Sequence, residues 1–202
     1  MINNIEILDS DKYKILNREN GIKVYNIQDG MTFQEKFYTL INVNDSIAIY
    51  EVSRDIEKEI GIFKDYKFAI GVLIVLCCKK FERPSENNEI IRKLRGYAEE
   101  NNIEISCQIL KKECDEKFYS IFSFKENAIC LIKENDTYNI YYKSKTDEKI
   151  IISATKLSRA FVVTYNYAKM LKYYDSIYNE KISKLNLDKE SYNKLLEYYV
   201  FY

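Results

Sequence analysis

Phe68-Ala69-Ile70-Gly71-Val72-Leu73-Ile74-Val75-Leu76-Cys77-Cys78 is the longest apolar run in the chain, and the topology around it depends on whether it is strand or helix. No charge interrupts it. It falls short of the roughly 20 apolar residues that a membrane helix needs. Its unbroken, β-branched character predicts a strand over 67–80, buried on both faces. Downstream, Pro84 and Ser85 open a predicted helix, with Glu86 favouring its positive end. Ile90, Ile91, Leu94 and Ala98 give that helix an apolar face, and Asn101-Asn102 ends it. Residues 103–110 read as the next strand. The three elements together predict a right-handed β-α-β crossover.

Upstream, residues 22–27 alternate and read as a strand. Beyond Gly30, Thr32-Phe33-Gln34-Glu35 has the spacing of a capping box. Phe33, Phe37, Leu40 and Ile41 then fall on one helical face, so a helix is expected to about Asn42. Residues 46–52 read as a strand, although Ala48, Val52, Ile56 and Ile60 would also suit a helix ending at Gly61. After position 117, short β-rich runs over 118–124, 128–133, 138–143 and 149–153 alternate with polar turns, which predicts antiparallel pairing. From 153 or 155 to 185 the period becomes helical, with Ser153 as its expected cap. Asp188 is placed to cap a last helix whose inner face holds Tyr192, Leu195, Leu196 and Tyr199.

These elements predict an α+β fold. A mixed or mostly antiparallel sheet carries amphipathic helices on one face, and a long Tyr-rich C-terminal helix crosses it. One domain is expected over 1–202, with a sheet-containing body over 1–152 and a helical segment over 153–202 packed on it. The chain has 47% hydrophobic residues, enough for one sizeable core.

Lysine plus arginine is 31 and aspartate plus glutamate is 31, so the net charge is zero. Nucleic acid is therefore an unfavoured partner, because such binding rests on neutralising phosphates. Residues 1–11 have neither a basic start nor a long apolar run, and a cytoplasmic location is expected. Cys77, Cys78, Cys107, Cys114 and Cys130 include no Cys-x-x-Cys pair, which predicts reduced, structural thiols. Abundant isoleucine, asparagine, lysine and tyrosine have AT-rich codons, which points to an AT-rich bacterial, phage or viral genome.

The chain contains no histidine. That excludes Ser-His-Asp and Cys-His catalysis and every His-ligated metal. Gly21, Gly30, Gly61, Gly71 and Gly96 are too far apart for a phosphate loop or a dinucleotide fingerprint. Ser153 and Lys156 match Ser-x-x-Lys, as do Ser191 and Lys194, and a pattern so short recurs freely. Glu113, Asp115, Glu116 and Lys117, together with Asp65, loosely resemble the acidic-plus-lysine pattern of restriction-type nucleases, although a solvated turn is the ordinary reading of such residues. No catalytic residue, cofactor or metal ligand is assigned.

Two surfaces remain as candidates. Lys79, Lys80, Arg83, Arg92, Lys93 and Arg95 flank the predicted crossover helix, where α/β sheets bind anions. Glu82, Glu86 and Glu89 interleave with them, as on an ordinary solvated helix face. Tyr165, Tyr173, Tyr178, Tyr198 and Tyr202 cannot share one buried stripe, and surplus aromatics mark protein interfaces. The expected function is therefore a non-catalytic intracellular binding or inhibitor protein. A toxin-neutralising immunity protein, or a phage or viral inhibitor of a host factor, fits that description. Its partner would be another protein, or a second copy docking through the C-terminal helices, and no membrane is involved. The alternative is a phosphoester-handling enzyme, or a nucleotide- or nucleic-acid-binding protein, using the basic 79–95 segment.

Overall fold

Every strand of the first sheet is joined to the next by a tight turn, and the turn chemistry shows why. The computed structural model describes residues 7–8, 11–82 and 85–202. Strands β1 (Tyr13–Arg18), β2 (Gly21–Gln28), β3 (Met31–Val43), β4 (Ser46–Ser53) and β5 (Ile56–Phe63) form an antiparallel meander in sequence order. Asp29 and Gly30 both have positive φ, at 51° and 75°, as do Arg54 and Asp55, at 50° and 64°. Two-residue turns of this kind match the twist of the strands they join. At the start of β2 a Cβ on Gly21 would collide with the Leu40 carbonyl oxygen of β3, so only glycine permits that approach.

The predicted helix over 32–42 is strand β3. Tyr25 of β2 faces Phe37 while Asn26 faces Phe33, so β3 inserts extra residues at that point. Phe33 and Phe37 stand four apart, a spacing that suits one face of a helix and one face of a strand alike. Asp29-Gly30 is the turn before β3, and Thr32 is already within the strand.

The predicted core strand over 67–80 is a helix, α1 (Tyr66–Phe81). The Asp65 carboxylate accepts hydrogen bonds from the Lys67 and Phe68 amides, while Lys79 and Lys80 occupy the last turn. Both ends thus suit the helix dipole. Residues 69–78 are all buried, so the helix is apolar on every side. It touches β3, β4 and β5 as well as α5 (Lys189–Phe201) and the 3₁₀ turn Ile182–Leu185. A helix covered on all sides has no polar stripe, which is why periodicity failed to reveal it.

With α1 helical, the predicted crossover does not exist. Asn87 caps α2 (Asn88–Glu99), a later start than Pro84-Ser85 suggested, and Pro84 lies outside the described residues. Residues 103–110 belong to a helix, α3 (Ile103–Glu113). The Asn102 side chain holds the Ile105 amide at 3.2 Å, and Lys111 and Lys112 sit in the last turn. A second sheet has the order β6 (Tyr119–Ile121), β7 (Ala128–Glu134), β8 (Thr137–Lys143), β9 (Glu148–Thr155). The last three strands pair antiparallel as expected, but β6 is short and runs parallel to β7. The chain reverses after β6 at Phe122, whose φ is 59° and whose amide donates to the Leu131 carbonyl at 2.7 Å.

Helix α4 spans Leu157–Glu180, and Ser153 lies in β9 and does not cap it. Asp188 caps α5 through the Ser191 amide at 2.8 Å. Among the described residues, two sheets and five helices make the fold α+β, with a long tyrosine-rich helix, α4, in its C-terminal part. The contacts divide the chain into two compact units, 1–83 with 176–202, and 84–175. Neither boundary falls at the 152/153 junction marked by the change of period. Among the described residues, no helix is long and apolar enough to cross a membrane.

Candidate interaction surfaces

The tyrosines singled out from the sequence differ sharply in environment. Tyr165 is buried within α4 packing, with the Lys169 ammonium 5.9 Å from its ring centre. Tyr173 and Tyr178 are half-buried, and Tyr178 meets Tyr192 edge-on at 4.7 Å. Tyr198 and Tyr202 lie on one side of α5, because four residues make about one turn. Their rings stack at 5.0 Å. Tyr198 also meets Phe63 of β5 at 5.8 Å and Phe68 of α1 at 6.3 Å. The exposure rises along this series from 9% at Phe63 to 52% at Tyr202. The Lys58 ammonium of β5 lies 5.9 Å from the Tyr202 ring, and Phe201 is exposed beside it. Burial raises the Tyr198 hydroxyl pKa above its ordinary value, with help from neighbouring Tyr202 and Glu197.

The basic segment is divided between the two compact units, with Lys79 and Lys80 in the first and Arg92, Lys93 and Arg95 in the second. Lys79 donates to the Val200 carbonyl at 3.2 Å, and Lys80 pairs with Glu51 of β4 at 2.6 Å. Arg83 lies outside the described residues. Arg92 and Arg95 are exposed on α2. Arg92, Lys93, Gly96, Tyr97 and Glu100 line a shallow depression of about 330 Å³. Lys93 pairs with Glu89 one turn earlier at 2.6 Å. Gly96 lies in the middle of α2, yet a Cβ there would meet nothing within 4 Å. A mid-helix glycine costs about 1 kcal/mol relative to alanine, and among the described residues no packing requires it here.

A polar cluster around Glu82 is not foreshadowed by any sequence pattern. Its carboxylate, at the end of α1, has a side chain only 8% exposed. It accepts from Lys12 at 2.8 Å, Lys181 at 2.9 Å, the Cys78 thiol at 3.2 Å and the Tyr13 hydroxyl. Burial pushes the Glu82 pKa up, but these four hydrogen bonds outweigh it and hold it at about 2. The same burial, and the Glu82 charge, push the Cys78 thiol up to about 12. A protonated, buried thiol beside a fully engaged carboxylate is neither nucleophile nor base at neutral pH. The cluster ties β1, α1 and the end of α4 together.

A second depression, of about 290 Å³, lies over Gly21, with Arg18, Lys23 and Thr39 in its lining. Three residues of the acidic-plus-lysine pattern have structural partners. Asp65 caps α1, Asp115 caps the 3₁₀ turn Glu116–Phe118, and Lys117 pairs with Asp175 at 2.7 Å. Among the described residues, no group of histidine, cysteine, aspartate and glutamate side chains could hold a metal ion. The five cysteines are unpaired, and all but Cys107 are buried. The chain matches no protein-family model, no curated protein and no solved structure.

Proposed function

We propose that this chain is a non-catalytic protein-binding protein, of the kind that neutralises a toxin or inhibits a host factor, and that it engages its partner through the end of α5. The aromatic series from Phe63 to Tyr202 carries this reading. Its inner rings are fixed in the core, and its outer members, Tyr202 and Phe201, present exposed aromatic area. An aromatic anchor held this way loses little conformational freedom on binding. Lys58 beside it favours a partner with carboxylates around an apolar centre.

The test is a comparison of the full chain with a Phe201→Ala, Tyr202→Ala variant. Proteins retained by the wild type are identified, purified and titrated against both forms by calorimetry. The expected result is stoichiometric binding that weakens at least about tenfold in the variant, as loss of an interface anchor does. Thermal stability should change little, since both side chains are exposed. Equal affinity of the two forms for a purified partner would overturn the assignment of this surface. Chemical turnover of the partner by the wild type would overturn the non-catalytic reading.

A further inference from the structure

Helix α2 carries its glycine at the centre of its outward face. Leu94 and Ala98 are its buried residues. Each is two positions from Gly96, about 200° of rotation to either side. The outward face is therefore centred on Gly96, where the chain leaves a notch that no side chain fills. Glycine at such a point lets a second backbone approach closely.

The charges on either side of the notch decide what fits it. Arg92 and Glu99 lie along one edge of the outward face, at about −40° and −60° from Gly96. Lys93 and Glu100 lie along the other, at about +60° and +40°. All four are exposed. The cations precede Gly96 and the carboxylates follow it. An anion is a poor occupant, because Glu100 lines the same depression and Glu89 already holds Lys93. A helix of the same sequence running the other way is a good one. A two-fold axis through the crossing sets residues before Gly96 against residues after it on the same edge, four positions away against three, a mismatch of about 1.5 Å along the helix. Arg92 then faces Glu99 of the second copy, and Lys93 faces Glu100. The symmetry repeats both pairs, and the two Tyr97 rings flank the crossing on one edge.

We propose that α2 is a self-association helix, through which two copies of this chain cross antiparallel at Gly96. The surface is independent of the aromatic end of α5. One helix crossing is small for an interface, so the dimer is weak and transient. Its exposed ion pairs set register and orientation more than affinity, and salt weakens it.

Sedimentation equilibrium of the full chain, from micromolar to about 1 mM, where weak association still registers, tests the proposal. The wild type should show a reversible monomer–dimer equilibrium that weakens when salt is raised. Arg92→Glu with Lys93→Glu should weaken it by about tenfold or more, since like charges then face each other. Glu99→Arg with Glu100→Arg should do the same, and the four changes together should restore association. Gly96→Leu should abolish it while circular dichroism shows the fold intact. A wild type that stays monomeric throughout in low salt would overturn the proposal. So would a dimer indifferent to the charge reversals, not recovered by the combined swap, or broken instead by Phe201→Ala, Tyr202→Ala.

Discussion

Glu82 shows how one side chain can set a pH dependence for a whole unit. Its folded-state pKa is about 2, below the ordinary 4.5. A depressed carboxylate stabilises the folded state above its unfolded pKa, and that contribution is lost as pH falls through the folded value. Glu82→Gln should therefore cost roughly 2–3 kcal/mol at pH 7. The gap between wild type and variant should close between about pH 5 and pH 2, and urea titrations across that range would measure it. A gap that does not change with pH would mean that the carboxylate's charge contributes nothing. The sequence hid this cluster because its members are scattered along it. Lys12 and Lys181 lie 70 and 99 positions from Glu82. The aromatic end of α5 was more legible, since Tyr198 and Tyr202 stand four apart in a helix whose cap, Asp188, was visible in the sequence. Tyr165 was misjudged as surface because a second packed face of α4 covers it.

Among the elements, α1, β3 and α3 each take the type opposite to that expected, and for α1 the reason is physical. Its β-branched run satisfies strand preferences, and propensity is a weak prior that burial overrides. Length argued the other way, since apolar runs of more than about eight residues favour helix, and Asp65 stood ready as a cap. Strands β2, β4, β7, β8 and β9 were legible because alternation and turn residues agree there. Strand β3 is hidden because Phe33 and Phe37 share a face in either structure and the capping-box pattern of Thr32 and Glu35 tips the reading to helix. The seam between α1 and α5 should be the sensitive one. A Cβ on Gly71 would lie 3.1 Å from a Leu195 methyl carbon, so the two helices meet closely there. Leu195→Ala should cost roughly 2–5 kcal/mol, as cavities in tight cores do. Chemical denaturation measures this directly, and a loss well under 1 kcal/mol would mean the seam closes over the cavity.

Across the whole molecule, the first unit is built around α1, whose residues 69–78 are withdrawn from water on every side. Their amides should exchange with deuterium more slowly than those of the edge strand β1, because they open only when that unit unfolds. Faster exchange in α1 than in β1 would refute that ranking. The α+β class was legible from the mixture of patterns, whereas the division into two units was not, because no glycine- or proline-rich linker marks it. The order of the chain has a further consequence. Residues 84–175 interrupt the first unit, so α5, which covers one side of α1, is synthesised only after all of them. At about 5–20 residues per second, the interval on the ribosome is on the order of 5–20 s. During it a nascent chain carries a long apolar helix with one flank uncovered. A fragment stopping at Asp175 would hold that state permanently, and it should aggregate or bind chaperones where the full chain does not.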